Sequence, residues 1–507
     1  MKLISFKQSF IAFGVLLTLA SCDTDEKLEV KGDGVILEEN FYRNETEAYA
    51  GLVAAYDKLG KYAGAMENAP LLFLNSASDD FYAGGGNSGD QPGLQVASNY
   101  TVSEANIPPA IWADYYKGVA RCNIMLVKLP GITMDGAKKT RFTAEVKALR
   151  AYYYFDLVRL FRNIPLILTP LTKDEIPLVS QVDPSAVYAQ IEKDLNEAIP
   201  DLPMTLPAPE LGRFSQGAAT ALLGKVYLYN NKKAEAAVEL AKVNGATPGG
   251  TSSYGYKLMD NFSELWDHKH EFNSESIFEI SYSDKSNADW GNFERGDDEG
   301  NVAAQLMGMR DYSRTDAGKL LGLPDYINGW GFLPVTTDLA DALKPDPRFE
   351  WTIFDANAQQ AAGNMTFTDS YKETGYHFIK YAPVNEDIKA ANPFLNFAIN
   401  TYIIRLADTY LMEAEALGGT GARAQALLDA VRLRAGVLPV PVSLDAIYAE
   451  RRLELAGEGH RWFDLVRTGQ AAAKLAFKGF TPGKNEAFPI PYSEFNNTKM
   501  VQNPNYN

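Results

Sequence analysis

The chain has 507 residues, 46% of them apolar and 12% aromatic, and its 48 Lys and Arg against 64 Asp and Glu leave a formal charge of −16. That composition builds a large core and excludes a disordered chain. The acidic excess excludes nucleic acid as a partner, because phosphate would be repelled.

In chain order, Lys2 and Lys7 precede an apolar run from Ile11 to Ala20. The run is about half of the ~20 residues that span a bilayer, so residues 1–21 read as a signal peptide and 22–507 as the mature chain. Leu19-Ala20-Ser21-Cys22 resembles a bacterial lipobox and marks Cys22 for lipidation. Cys122 then has no disulfide partner. Asp23 to Glu26 reads as a solvated acidic tether.

A first helix is predicted from Phe41 to Leu59, with Asn44 as cap and Glu47 at capping-box spacing. Residues 75–103 are rich in Ser, Gly, Asn and Asp and read as a long functional loop. Helical period returns over Ile111–Leu129 and Thr140–Phe161, and the aromatic run within the second places it deep between neighbours. Asp183-Pro184 opens a further helix that Pro200 and Pro203 end. Ser215 to Val243 reads as two helices joined at Asn230-Asn231, with Leu223, Gly224, Tyr227, Ala236 and Leu240 at tetratricopeptide spacing. One such unit cannot bury its own apolar face, so others must stack on it.

From Asn244 to about Asn400 the period weakens, apart from a short strand over Ser276–Tyr282. Helices resume over Tyr402–Leu417, Ala422–Ala435 and Asp445–Leu455, and the rest reads as loop. The fold class is therefore mainly α: tetratricopeptide-like helical repeats over about 40–243 and 400–470, displaying an irregular ligand-binding lobe over about 244–400.

Glu450-Arg451-Arg452-Leu453-Glu454-Leu455, then Gly457-Glu458-Gly459-His460-Arg461-Trp462-Phe463-Asp464-Leu465-Val466-Arg467, closely resembles the signature of the SusD/RagB family. Arg405 to Asp408, Glu145 to Tyr154, Pro345 to Arg348, Phe488 to Pro491 and Gln502 to Tyr506 match other parts of that family in order. The resemblance implies an outer-membrane lipoprotein, anchored by lipid on the extracellular face, that caps a SusC-like TonB-dependent transporter. It further implies capture of an oligosaccharide or polysaccharide for uptake, with no catalysis. The charged signature itself reads as a partly buried ion-pair network among Glu450, Glu454, Arg451, Arg452, Arg461 and Arg467.

Neither cofactor nor metal is called for. His268-x-His270 with Glu271 lacks a third and fourth zinc ligand, and Asp79-Asp80 and Asp297-Asp298-Glu299 lack calcium-loop spacing. No Gly-x-Ser-x-Gly occurs. Gly84 to Gly89 fits Gly-x-Gly-x-x-Gly, but no helix is predicted after it.

A sugar ring packs its C–H face on an aromatic ring, with polar groups at the rim. Trp290 and Trp330, beside glycines in the lobe, are the leading candidates, followed by Phe81, Tyr82 and Tyr100 in the early loop. Asp80, Phe293, Arg295 and Tyr326 join them by proximity in sequence. Trp112, Trp266, Trp351 and Trp462 are expected in the core. The rival functions are peptide capture by the same kind of lipoprotein and, further off, glycoside hydrolysis.

Overall fold

The computed structural model describes residues 41–286, 288–293, 298–389 and 392–506. Cys22, the signal peptide and Arg295 lie outside the described residues. The chain is mainly helical, with three two-stranded antiparallel sheets.

The first helix, Glu45–Asp57, starts where Asn44 accepts a hydrogen bond from the Glu47 amide at 3.0 Å. Two helices fall where none was predicted, Pro70–Ala77 and Pro92–Ser98. The second follows the glycine run and carries Pro in its first turn, so part of the 75–103 segment is regular structure. Pro109–Lys128 and Gly136–Phe161 then pack as a pair. A Cβ on Gly118 would sit 2.5 Å from the Tyr153 ring, so the bare glycine lets the two helices close. Pro184–Ala198 starts under Asp183, which accepts from the Ser185 amide at 2.8 Å, and it packs on Gly136–Phe161.

Gln216–Tyr229 and Lys233–Asn244 form the predicted hairpin, turning through Asn231 at φ 58°. Asn tolerates that left-handed conformation better than most residues. At Gly224 a Cβ would meet Leu240 Cγ at 2.7 Å, which accounts for the small residue at that position of the repeat. Leu406–Ala416 packs on Lys233–Asn244 and on Gly421–Arg434. Leu444–Glu454, Arg461–Arg467 and Ala471–Lys474 complete the scaffold, so the C-terminal region holds more helix than predicted.

The lobe leaves and rejoins the scaffold through one strand pair. Ser276–Ile280 pairs antiparallel with Thr401–Arg405, matching Glu279 to Tyr402 and Ile280 to Thr401. Residues 401–405 are therefore strand, where the helical period suggested helix from Tyr402. Between the two strands lie short helices and two further ribbons, Arg310–Arg314 with Met365–Thr368 and Ile353–Asp355 with Tyr376–Phe378.

Buried charge ties lobe to scaffold. Arg348, fully buried on the lobe side, reaches Glu450 at 2.6 Å, Glu454 at 2.8 Å and Asp346 at 2.6 Å. Arg405 pairs with Glu275, Glu454 and Glu458, and Lys380 pairs with Glu458 at 2.8 Å. The signature charges are buried or half-buried and paired, but among the described residues none of the six expected partners pairs with another: Arg451 goes to Asp408 and Asp464, Arg452 to Asp80, Arg461 to Asp79, and Arg467 to Glu415.

Candidate functional site

Trp290 and Trp330 lie against each other on the lobe surface. Their centroids are 5.8 Å apart and their planes 29° from parallel. Trp290 is 57% exposed and Trp330 half-buried. Phe293 stands edge-on to Trp290 at 6.3 Å. The pair joins segments some forty residues apart in sequence, and each is held by its own device.

The Trp290 loop is closed by Asp289, whose carboxylate accepts from the amides of Gly291 at 2.7 Å and Asn292 at 3.0 Å. The Asp289 amide donates in turn to Asn292 Oδ1 at 2.7 Å. The Trp330 segment lies directly on the backbone at Gly308: Gly329 N–H donates to Met309 O and Gly331 N–H to Gly308 O, both at 2.8 Å. A Cβ on Gly329 would fall 2.1 Å from Gly308 Cα. The glycines around this tryptophan are therefore required by contact.

Arg310, which the sequence did not single out, lies against the residue that follows Trp330. Its side chain lies between Gly331, whose Cβ would come 2.8 Å from Arg310 Cγ, and Gly86, whose Cβ would come 2.9 Å from Nη1. Among the described residues the half-buried guanidinium makes no side-chain hydrogen bond and no ion pair, and five N–H donors are available. Nothing in Arg310-Asp311-Tyr312-Ser313-Arg314 marks it, because the glycines that flank it are distant in sequence.

Other candidates fall elsewhere. Asp80 and Phe81 are wholly buried. Burial pushes the Asp80 carboxyl up, against the pull of Arg452, whose Nε is 2.7 Å away. Phe81 packs edge-on to Phe378 at 5.4 Å. Tyr100 is interior too, its hydroxyl donating to Ala77 O and its ring set on Phe480. Tyr326 belongs to the lobe's own aromatic cluster with Tyr312 and Phe354. Asp80, Phe81 and Tyr100 are therefore corrected from surface contacts to packing residues, while Tyr326 is half-buried. Tyr82 is half-buried and stands apart from the tryptophans, with Phe477 edge-on at 6.5 Å.

Of the tryptophans expected in the core, Trp112 and Trp462 are buried and Trp266 is half-buried. Trp351 is 47% exposed, because its helix is a single turn on the lobe surface. Among the described residues no group of three or more His, Cys, Asp and Glu could hold a metal, and no helix is long and apolar enough to cross a membrane.

Stacked helical pairs carrying an irregular lobe are the fold of the SusD-like class. Residues 274–506 match the SusD family, and residues 50–228 match a family described as starch-binding associating with outer membrane. The chain belongs to the SusD/RagB family. It is similar to a solved laminarin-binding SusD-like protein, at 54% identity over 92% of this chain and 100% of that one, with a TM-score of 0.89. It also resembles surface glycan-binding protein A from Bacteroides thetaiotaomicron in complex with laminarihexaose, at 28% identity, 89% and 97% coverage and a TM-score of 0.78. A SusD-like protein of Formosa agariphila is 25% identical over 96% of each chain.

Proposed function

We propose that this protein captures a laminarin-type glucan on the Trp290–Trp330 platform and passes it to a TonB-dependent transporter without cutting it. The observation that carries the reading is the stacked pair of exposed Trp290 and half-buried Trp330, with the Arg310 guanidinium, unpaired among the described residues, next to the Trp330 segment. Two tilted rings offer flat apolar area to the C–H faces of neighbouring glucose units, and Arg310 offers donors to their hydroxyls. Likeness to a laminarin-binding relative and to a laminarihexaose complex supports the choice of glucan.

Each stacked ring contributes ~0.5–1.5 kcal/mol beyond area burial and each net hydrogen bond ~1 kcal/mol. After the cost of association, a dissociation constant roughly in the micromolar to millimolar range follows. The lipid at Cys22 would hold the protein at the outer face of the outer membrane, which accords with the description of the family matched by residues 50–228.

Affinity electrophoresis in laminarin gels tests the reading. The wild-type chain should be retarded, and Trp290→Ala with Trp330→Ala should run freely with nearly unchanged melting temperature. Retention of that double variant would overturn the site, and new reducing ends released from laminarin at enzymatic rates would overturn the non-catalytic role.

A further inference from the structure

We propose that Tyr82, Phe477 and Lys372 form a second contact region for the same bound glycan, so that the protein grips a chain of several sugar units at two places. The inference rests on the glucan-binding reading above and goes beyond it in assigning where the rest of the chain lies.

Phe477, on the one-turn Ala476–Lys478 segment of the C-terminal region, is 59% exposed, a large apolar ring left in water. It stands edge-on to the half-buried Tyr82, forming a corner of two rings. Lys372 holds its ammonium over the Tyr82 ring at 5.2 Å and over Tyr371 at 5.9 Å. It does so from a left-handed backbone, φ 56°, with its Nζ donating to Asn99 Oδ1 at 3.1 Å. A non-glycine residue at positive φ persists only where its surroundings over-determine it. Rings and a cationic donor are here assembled from three distant parts of the sequence, and they supply the two kinds of contact a sugar unit needs.

The corner is fixed relative to the tryptophans by backbone hydrogen bonds. Tyr82 N–H donates to Pro334 O at 3.0 Å, Leu333 N–H to Ala83 O at 3.0 Å and Gly85 N–H to Gly331 O at 2.8 Å. The segment bearing Tyr82 thus runs antiparallel to the one bearing Trp330. Pro334 lies four positions after Trp330, so at ~3.3 Å per residue their backbones are at most ~13 Å apart. That span suits a few hexose units. Between the two ends Gly84 and Gly85 are buried under the 331–334 segment, and Gly86 is exposed with Arg310 beside it. A glycan laid from the tryptophans toward Phe477 meets Gly86 and the Arg310 guanidinium on the way.

Titration calorimetry of the full chain with laminari-series disaccharide, trisaccharide and hexasaccharide tests this. Wild type should bind the hexasaccharide more tightly than the trisaccharide. Phe477→Ala with Lys372→Ala should erase that gain, lowering hexasaccharide affinity roughly tenfold while leaving the trisaccharide constant and the melting temperature unchanged. Equal hexasaccharide affinity in wild type and variant overturns the second contact and leaves the tryptophan platform standing. A loss shared by all three lengths overturns it as well, since the region would then act on the first site. Wild-type protein that binds no glucan overturns the platform reading, and the extension falls with it.

Discussion

His460 is buried and held in its uncharged form at neutral pH. Burial and then the adjacent charge of Lys225, whose Nζ lies 3.4 Å from Nδ1, push the imidazole down to about 3 from 6.5. A depressed folded-state value means that stability is fully present above 6.5 and is lost as pH falls toward 3, since the unfolded chain takes the proton first. The melting temperature should therefore start to drop below pH 6.5, and His460→Gln should flatten that slope; an unchanged slope would contradict the assignment. Arg310 makes the opposite kind of prediction. With no ion pair to lose among the described residues, Arg310→Met should leave the melting temperature nearly unaltered. It should weaken glucan binding by about 1.5–3 kcal/mol, as for a lost charged hydrogen bond, measured by calorimetry.

Among the elements, the Leu444–Glu454 helix depends most on what lies across from it. Arg348, Arg405, Arg432 and Arg434 surround the carboxylates of Glu450 and Glu454. Truncating one partner leaves a buried charge uncompensated, at a cost of about 3–5 kcal/mol. Arg348→Ala should lower unfolding free energy by that amount in a urea titration, and a loss below 1 kcal/mol would show the network to be dispensable. The helical pairs were legible because their cues are local: Gly224 under Leu240, Asn231 at a left-handed turn, Asp183 ahead of Pro184. Thr401–Arg405 was not legible, since its partner lies some 120 residues earlier and a run such as Tyr402-Ile403-Ile404 suits helix or strand equally. Phe81 misled for a related reason: the glycines around it read as loop, while its burial comes from pairing with the 331–335 segment. Trp290 and Trp330 could be picked one by one, but their stacking could not, because no sequence period relates the two loops.

The largest continuous core of buried apolar residues runs from Ala48 to Met500 and takes in lobe and scaffold together. Scaffold and lobe also share the buried pairs of Arg348 and Lys380. Independent melting of the lobe would strand those charges, so a calorimetric scan should show one transition; two resolved peaks would separate what the core joins. The strand pair Ser276–Ile280 and Thr401–Arg405 carries a further consequence. Everything between begins and ends at adjacent points, like a drawer with both runners on one side. Residues can thus be added to or removed from that excursion without moving the helical frame, provided that Arg348 and Lys380 keep their partners on the scaffold.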